Sequence, residues 1–228
     1  MSQERCVVLF TKPASPGRVK TRLIGELSAE EAAELHAAFV GDVVEAIAGG
    51  PYRLEVAWAL EDGATPQGSL LPVPLPGFVQ SGADLGSRLF HALERVASAS
   101  QWVAAVGSDH PRLSRPRVVE AFERLERGAE VVLGPAADGG YYLIALGASR
   151  LDPRLFEGVP WSTDQVLERT LERCRQLGLA VELLPEEEDV DRPEDLARLA
   201  TALAASERAA ASAPRTVELL NRWGRLDS

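Results

Sequence analysis

The sequence predicts an α/β fold in which a mostly parallel mixed sheet lies between two layers of helices, a three-layer α/β/α sandwich. Strand-like and helix-like segments alternate through most of the 228 residues. Several of the strand-like segments are short apolar runs bounded by turn residues, which is typical of parallel strands buried on both faces. Polar residues follow these runs, at the position where open α/β sheets bind their ligands.

The first half of the chain supplies three predicted strands and three predicted helices. The first helix begins at Ser28, which stands three residues before Glu31, the spacing of a capping box. Its apolar positions recur at helical spacing and predict one buried face. A loop rich in Pro, Gly and cations precedes this helix, and a Gly- and Pro-rich connection over 61–77 follows the second strand. The predicted strands are 5–10, 54–60 and 102–107, and the predicted helices are 28–48, 85–97 and 115–127.

The second half continues the alternation and ends in a tail. Strands are predicted at 130–133, 141–146 and 180–184, and helices at 163–177 and from Pro193 to about 205. The Ala- and Ser-rich residues 205–214 predict a linker, and residues 216–223 predict a short amphipathic helix. We therefore expect a domain over 1–204 followed by a linker and helical tail over 205–228.

Composition excludes several classes of partner and location. The net charge of −10 and the pI near 4.9 argue against nucleic acid and anionic membrane, because both attract a basic surface. Cys6 and Cys174 are predicted to be free thiols in a reducing compartment. No apolar run resembles a signal region or approaches the length of a membrane span. We expect a cytoplasmic protein.

The loop after the first strand carries Gly17, Arg18, Lys20 and Arg22. Its glycine permits close approach of the backbone to a phosphate, and its cations can neutralise one. The spacing is not that of a P-loop. Two interpretations stay open, a phosphate-binding loop and a solvated basic loop, and the position at the end of the opening strand favours the first.

Two aspartates are candidate ligands for a divalent cation. Asp109 follows strand 102–107, and Asp191 belongs to the alternating Asp189-Val-Asp191 segment, in which one carboxylate can face the site. Mg²⁺ commonly takes one or two carboxylates together with substrate phosphates. The alternatives are structural: Asp109 as a turn residue, and Asp191 as a cap of the helix near Pro193.

Further candidates lie in three loops, each with a structural alternative. Gln80 can bond to the edge of a nucleobase, and Gly86 leaves room for a base or sugar, whereas Asp84 is interpreted as a helix N-cap. Asp138 can accept a hydrogen bond from an acceptor hydroxyl, or can belong to an ordinary hairpin turn. Trp161 is either a stacking wall for an acceptor or a core anchor.

These motifs together resemble the GT-A, or nucleotide-diphospho-sugar transferase, superfamily, and above all a bacterial family of GT-A-like transferases. The chain is similar at a greater distance to molybdenum-cofactor guanylyltransferase and 2-phospho-L-lactate guanylyltransferase. The resemblance covers residues 5–199. It is carried by Lys12-Pro13 with Gly17 and Lys20-Thr-Arg-Leu23, by Gly107-Ser-Asp-His-Pro111, by Gly134-Pro135 with Asp138-Gly-Gly-Tyr141, by Pro160-Trp-Ser162, and by Asp189-Val-Asp191 with Pro193-Glu-Asp195.

The resemblance implies a GT-A fold with a nucleotide on the N-terminal half of the sheet. It implies Mg²⁺ or Mn²⁺ held by Asp109 and one aspartate of the 189–191 pair, for which we select Asp191. Base contacts are implied near Gln80–Gly86, and phosphate contacts in the basic loop. The catalytic candidates are Lys20, Asp109 and Asp138, and the candidates for binding the nucleotide are Gly17, Arg18, Lys20, Arg22, Gln80, Gly86 and Ser108.

The expected function is a metal-dependent transferase that uses a nucleoside triphosphate or nucleotide sugar and a small-molecule acceptor. Nucleotidyl transfer is favoured narrowly, because Lys20 and Arg22 can balance the charge of a departing pyrophosphate. The alternatives are a glycosyltransferase that uses a nucleotide-diphospho-sugar, and a non-catalytic regulatory protein that binds nucleotide. The presence of Asp109 and Asp191 argues against the regulatory alternative.

Overall fold

The computed structural model describes residues 4–61 and 63–226. In this part of the chain seven strands form one sheet with the order β3-β2-β1-β4-β6-β5-β7. Strand β6 runs antiparallel to β4 and β5, and the other pairings are parallel, so the predicted mostly parallel mixed sheet is confirmed. The strands are β1 (Arg5–Thr11), β2 (Arg53–Trp58), β3 (Gly77–Val79), β4 (Trp102–Gly107), β5 (Val131–Pro135), β6 (Tyr141–Gly147) and β7 (Val181–Leu183).

Helices cover both faces of the sheet. Residues Val7 and Leu9 of β1 pack in one apolar cluster with α1 and α3, whereas Cys6 and Val8 pack in a second cluster with α2 and α4. This alternation buries β1 on both faces and accounts for its continuous apolar run. The helices are α1 (Ala29–Ile47), α2 (Leu85–Ala97), α3 (Arg115–Glu126), α4 (Val166–Gln176), α5 (Pro193–Ala204), α6 (Glu207–Ser212) and α7 (Pro214–Arg222).

Local capping signals in the sequence are confirmed. Ser28 and Glu31 form the predicted capping box at the start of α1. Asp84 is the N-cap of α2, where its carboxylate accepts a hydrogen bond from the backbone N–H of Ser87 at 2.7 Å. Cys6 and Cys174 are both buried and free. No helix in residues 4–61 and 63–226 combines the length and apolar character that a membrane span requires.

One strand was not predicted and one expectation is wrong. The connection over 61–77 leads into the edge strand β3, which was missed because its three residues are too few to show a strand period and follow a proline. Residues 205–214, expected to be a linker, contain helix α6. Ser206 is the N-cap of this helix, and its alanines favour helix formation. The division between 1–204 and 205–228 stays a prediction.

The C-terminal helices pack against the body of the protein around a buried carboxylate. Asp42 of α1 accepts hydrogen bonds from the backbone N–H groups of Arg215 and Thr216 at 2.8 and 2.9 Å, and from the Thr216 hydroxyl at 2.6 Å. These contacts fix the first turn of α7 on α1. A third apolar cluster joins α7 to Phe39 of α1 and to Val190 before α5.

Candidate functional site

Two adjoining cavities open at the carboxyl ends of the central strands. Phe10 of β1 pairs with Gly107 of β4, so the loops that follow these two strands begin side by side. The first cavity has a volume of about 370 Å³ and the second about 360 Å³. They meet at five residues that line both of them: Phe10, Arg22, Leu85, Asp109 and Asp191. The binding surface predicted at the strand ends is therefore divided in two.

The cavities have opposite charge. The first cavity, here called the acidic cavity, is lined by four carboxylates and one cation: Asp109, Asp138, Asp189, Asp191 and Arg22. The second cavity, here called the cationic cavity, is lined by four cations and two carboxylates: Lys12, Lys20, Arg22, Arg88, Asp109 and Asp191. An anionic group is therefore favoured in the cationic cavity and opposed in the acidic one.

Lys20 lies at the junction of the cavities. Its ammonium contacts the Asp109 carboxylate, lies 3.3 Å from Oδ1 of Asp191, and donates to the backbone carbonyl of Val190 at 2.7 Å. It also lies 5.3 Å from the ring centre of Phe39. The Lys20 backbone is left-handed, with φ of 46°, a conformation uncommon for a residue with a side chain. With 2% of its side chain exposed, Lys20 is a buried cation joining two chain segments.

Opposing effects set the pKa of Asp109. Burial has the largest single effect and raises this pKa, but Lys20, together with His36 and His110, lowers it to about 2. Asp109 is therefore ionised across the whole neutral range. Burial lowers the pKa of the neighbouring His110 to about 4, so its imidazole is neutral at pH 7.

The pair of Asp109 and Asp191 fits a divalent cation that binds together with substrate. Both carboxylates converge on one positive charge, the Lys20 ammonium, and both line both cavities. The described residues contain no cluster of three His, Cys, Asp or Glu side chains that would hold a metal without help. Two carboxylates with substrate phosphates are a common Mg²⁺ site, so the donor set suits Mg²⁺ or Mn²⁺.

The predicted phosphate-binding loop reaches the cavities in part. Arg22 lies in their shared wall, with its Nη1 3.2 Å from Oδ2 of Asp191. Gly17 has φ of +73°, a left-handed backbone conformation that favours glycine at this position. Arg18 lines neither cavity and instead pairs at the surface with Glu61 at 3.1 Å. The structure therefore does not bring Arg18 to the site.

The predicted base-binding residues have different surroundings. Gln80 and Ser108 line the cationic cavity, and the Gln80 amide nitrogen donates to the Ala57 carbonyl at 2.9 Å. Gly86 faces Trp161: a Cβ on Gly86 would lie 2.5 Å from the indole Nε1. The absence of a side chain at Gly86 thus makes room for the indole, and the predicted space for a base or sugar is filled by protein.

Asp138 and Trp161 line the acidic cavity. Asp138 also belongs to a turn between strands, and Trp161 also packs against the core. Asp138 is exposed in the turn between β5 and β6, where its Oδ1 accepts from the Gly140 N–H at 2.8 Å. Trp161 is half-buried, packs against the second apolar cluster, and stands edge-on to Tyr141 with ring centres 6.3 Å apart. Each residue combines a structural contact with a place in the cavity wall.

Sequence reasoning missed three residues of the cavity walls. Lys12 and Arg88 contribute cations to the cationic cavity, and His36 lines it while its Nε2 lies 3.0 Å from the Lys12 carbonyl. The contact of His36 with this carbonyl supports the loop that carries Lys12. Arg88 lies one turn after the N-cap Asp84, at the start of a helix that points to the cavity. This position is the signal that could have identified it.

We expect Gly86→Ala to destabilise the protein by about 1–3 kcal/mol, because the new methyl group must displace the indole of Trp161. In a Trp161→Ala background the same change should instead stabilise by up to about 1 kcal/mol, since alanine is the better helix former. Denaturant unfolding of the four proteins in this double-mutant cycle measures the difference. Equal effects in both backgrounds would show that the indole contact is irrelevant.

The pKa of Asp189 predicts how the stability of the protein depends on pH. Burial, and then the Asp138 carboxylate nearby, raise this pKa to about 6. A carboxyl whose pKa is higher in the folded state stabilises the fold below its unfolded pKa and loses that contribution as the pH rises through about 6.

Asp189→Asn should therefore match the wild type in stability at pH 4 and exceed it at pH 8. The expected gain is about 1 kcal/mol, because partial exposure reduces the effect of the pKa shift. Urea unfolding at the two pH values measures it, and Glu186→Gln, which removes an exposed carboxylate of the same segment, is the control. A gain that is the same at both pH values would contradict the assignment.

Comparison with known proteins assigns the family. Residues 43–163, more than half of the chain, match the family described as "Uncharacterized protein conserved in bacteria (DUF2064)". The chain belongs to the DUF2064 family. A solved structure that is assigned as a nucleotide-diphospho-sugar transferase from Desulfovibrio desulfuricans G20 is 31% identical to it, with a TM-score of 0.90 over 99% of this chain and 97% of that one.

More distant structures share the fold. A cytidylyltransferase from Leptospira borgpetersenii is 12% identical, with a TM-score of 0.56 over 99% of this DUF2064 chain and 97% of its own. Glucosyl-3-phosphoglycerate synthase from Mycobacterium tuberculosis, solved with Mn²⁺ and UDP, is 15% identical, with a TM-score of 0.53 over 97% and 80%. The search of curated proteins finds no match. The prediction of a transferase of the GT-A-like superfamily is confirmed.

Proposed function

We propose that this DUF2064 protein is a Mg²⁺- or Mn²⁺-dependent transferase that binds a nucleotide donor in the cationic cavity and a small acceptor in the acidic cavity. The observation that carries the proposal is the position of Lys20, Asp109 and Asp191 at the boundary between the two cavities. A reacting phosphate at this boundary would meet a fixed ammonium and two carboxylates able to share a metal ion. Such a site stabilises charge without a covalent protein intermediate.

The cationic cavity suits the phosphates of the donor. Lys12, Arg22 and Arg88 line it in addition to Lys20, although the net charge of the chain is −10. Charge-assisted hydrogen bonds from these groups can hold a triphosphate or diphosphate. The side-chain oxygen of Gln80 is available to accept from the edge of a base, because the amide nitrogen is used by the Ala57 carbonyl.

Nucleotidyl transfer is the favoured reaction. An acceptor oxygen forms a bond to the α-phosphorus, the bond from that phosphorus to the bridging oxygen breaks, and pyrophosphate leaves with the electron pair. In this reaction Asp138 would receive the acceptor proton, and Lys20 and Arg22 would balance the departing charge. Asp109 and Asp191 would hold the metal ion, which supplies Lewis-acid stabilisation of the phosphates when bound.

Glycosyl transfer is the second candidate, because the relative that is 31% identical is assigned as a nucleotide-diphospho-sugar transferase. In that reaction the acceptor oxygen bonds to the anomeric carbon and a nucleoside diphosphate leaves. A purely regulatory nucleotide-binding role is disfavoured, because the chain keeps both carboxylates at the junction of the cavities.

The test is calorimetric titration of the intact protein with nucleoside triphosphates and nucleotide sugars, with and without Mg²⁺. We expect Mg²⁺ to strengthen the binding of at least one of them, and Arg88→Ala to weaken it about tenfold through loss of a charge-assisted contact. Arg18→Ala, a surface cation outside both cavities, is the matched control.

The released product then separates the two reactions, pyrophosphate for nucleotidyl transfer and a nucleoside diphosphate for glycosyl transfer. Binding that is indifferent to Mg²⁺ would favour the regulatory role. The absence of binding by every nucleotide would refute the proposal.

A further inference from the structure

The acidic cavity contains two carboxylates that no cation of the described structure neutralises. Asp109 and Asp191 contact Lys20 or Arg22, whereas Asp138 and Asp189 form no salt bridge with any described residue. Both face the space that the proposed function assigns to the acceptor. An acceptor with a phosphate or carboxylate group would bring a further negative charge against them in a partly desolvated site, where the repulsion is stronger than in bulk water.

A buried imidazole in the same cavity lacks hydrogen-bond partners. His110 is 7% exposed and lines the acidic cavity, and neither of its ring nitrogens has a partner in the described structure. Buried polar atoms without partners are rare in proteins, and here they point to a ligand. One ring nitrogen of a neutral imidazole donates and the other accepts, so a hydroxyl or an amine is a suitable partner.

The remaining wall is apolar and aromatic. Trp161 and Tyr141 stand edge-on to each other, and Leu85 and Leu89 lie in the same lining. Such a wall suits a flat apolar group, and aromatic faces attract cations and not anions. The wall and the unpaired carboxylates thus select for the same kind of ligand.

We infer that the acceptor of this transferase is a neutral or positively charged small molecule that carries a hydroxyl or amine and a flat apolar part. The inference rests on the proposed function in one respect, the assignment of the acceptor to the acidic cavity. Phosphorylated and carboxylated acceptors are excluded by Asp138 and Asp189, and the anionic donor is confined to the cationic cavity. Charge thus gives each of the two cavities one class of substrate.

Three probes of nearly the same shape test the inference: tyramine, which is positive, tyrosol, which is neutral, and 4-hydroxyphenylacetate, which is negative. Ligand-observed NMR measures their dissociation constants with the intact protein. We expect tyramine to bind about tenfold more tightly than 4-hydroxyphenylacetate, with tyrosol between them. In the double variant Asp138→Asn and Asp189→Asn the ratio between the amine and the acid should fall to about one.

The control is Asp152→Asn, which removes a half-buried carboxylate that pairs with Arg154, lines neither cavity and should leave the ratio unchanged. Equal or tighter binding of the acid, a ratio that persists in the double variant, or no binding of any probe would overturn the inference. Nucleotide titration of the same samples reports on the proposed function separately. A protein that prefers the amine but binds no nucleotide would therefore refute that function alone.

Discussion

We expect Asp109→Asn to lose most of its Mg²⁺-dependent nucleotide binding while the protein stays folded. Asparagine keeps the shape of the side chain but removes a full negative charge, since Lys20, with His36 and His110, lowers the Asp109 pKa to about 2 against the effect of burial. A divalent cation bound as proposed would lose one of its two charged protein ligands. We expect nucleotide affinity in the presence of Mg²⁺ to fall about a hundredfold, measured by calorimetry, with a much smaller change in its absence.

The same experiment on neighbouring carboxylates identifies the second metal ligand. Asp191→Asn should behave like Asp109→Asn, because Asp191 also contacts Lys20, whereas Asp189→Asn should change Mg²⁺ dependence little. Asp152 lies outside both cavities, so Asp152→Asn is the control for removing a carboxylate elsewhere in the protein. Unchanged Mg²⁺ dependence in Asp109→Asn, with a native circular dichroism spectrum, would remove Asp109 from the metal site.

Lys20→Met should lower the free energy of unfolding by about 2 kcal/mol at pH 7. Methionine can still pack against Phe39, but Asp109 loses its cation and Asp191 keeps only Arg22. The partial exposure of both carboxylates keeps the penalty below that of a fully buried pair. The penalty should shrink below pH 4, where the carboxyls of the variant become protonated. Urea unfolding at several pH values measures both effects.

Magnesium provides a second measurement on the same variant. Without the Lys20 ammonium the carboxylate pair keeps only the exposed Arg22 as a cation, so Mg²⁺ alone should raise the Tm of Lys20→Met and have little effect on the wild type. Arg18→Met, a cation of the same loop that pairs only at the surface, should show neither the loss of stability nor the Mg²⁺ effect. If Lys20→Met and Arg18→Met lose the same stability, the buried ion pairs contribute nothing specific.

Strand ends explain why the centre of the site could be predicted. Asp109 follows a buried parallel strand, and the ends of such strands meet at one edge of the sheet, so Lys20, Asp109 and Asp191 were expected close together. The structure brings them into contact. Local sequence patterns assign Lys20 to phosphate and the two aspartates to metal. They do not predict the ion pairs among them, because Lys20 and Asp191 are 171 positions apart and a local pattern carries no information on such contacts.

The wrong or incomplete predictions concern contacts between distant segments. Gly86 was interpreted from a local loop motif, but its neighbour is Trp161, from another part of the chain. Arg18 shares the composition of the phosphate loop, yet its side chain extends to Glu61 and away from the cavities. Composition predicts the chemistry available in a loop, whereas the direction of each side chain depends on the fold around it.

The contacts of the buried carboxylate Asp42 are expected to form late in the folding of the chain. The hydrogen bonds of Asp42 fix α7 on α1. Helix α7 belongs to the same apolar cluster as Phe39 and Val190. The Phe39 ring lies beneath Lys20, and the Val190 carbonyl accepts a hydrogen bond from Lys20. Arg215 and Asp42 are 173 positions apart. Contacts of such separation form slowly, and synthesis delivers the N-terminal loop long before α7. We therefore expect a nascent chain to carry Lys20 and Asp109 without their final surroundings until α7 packs onto α1.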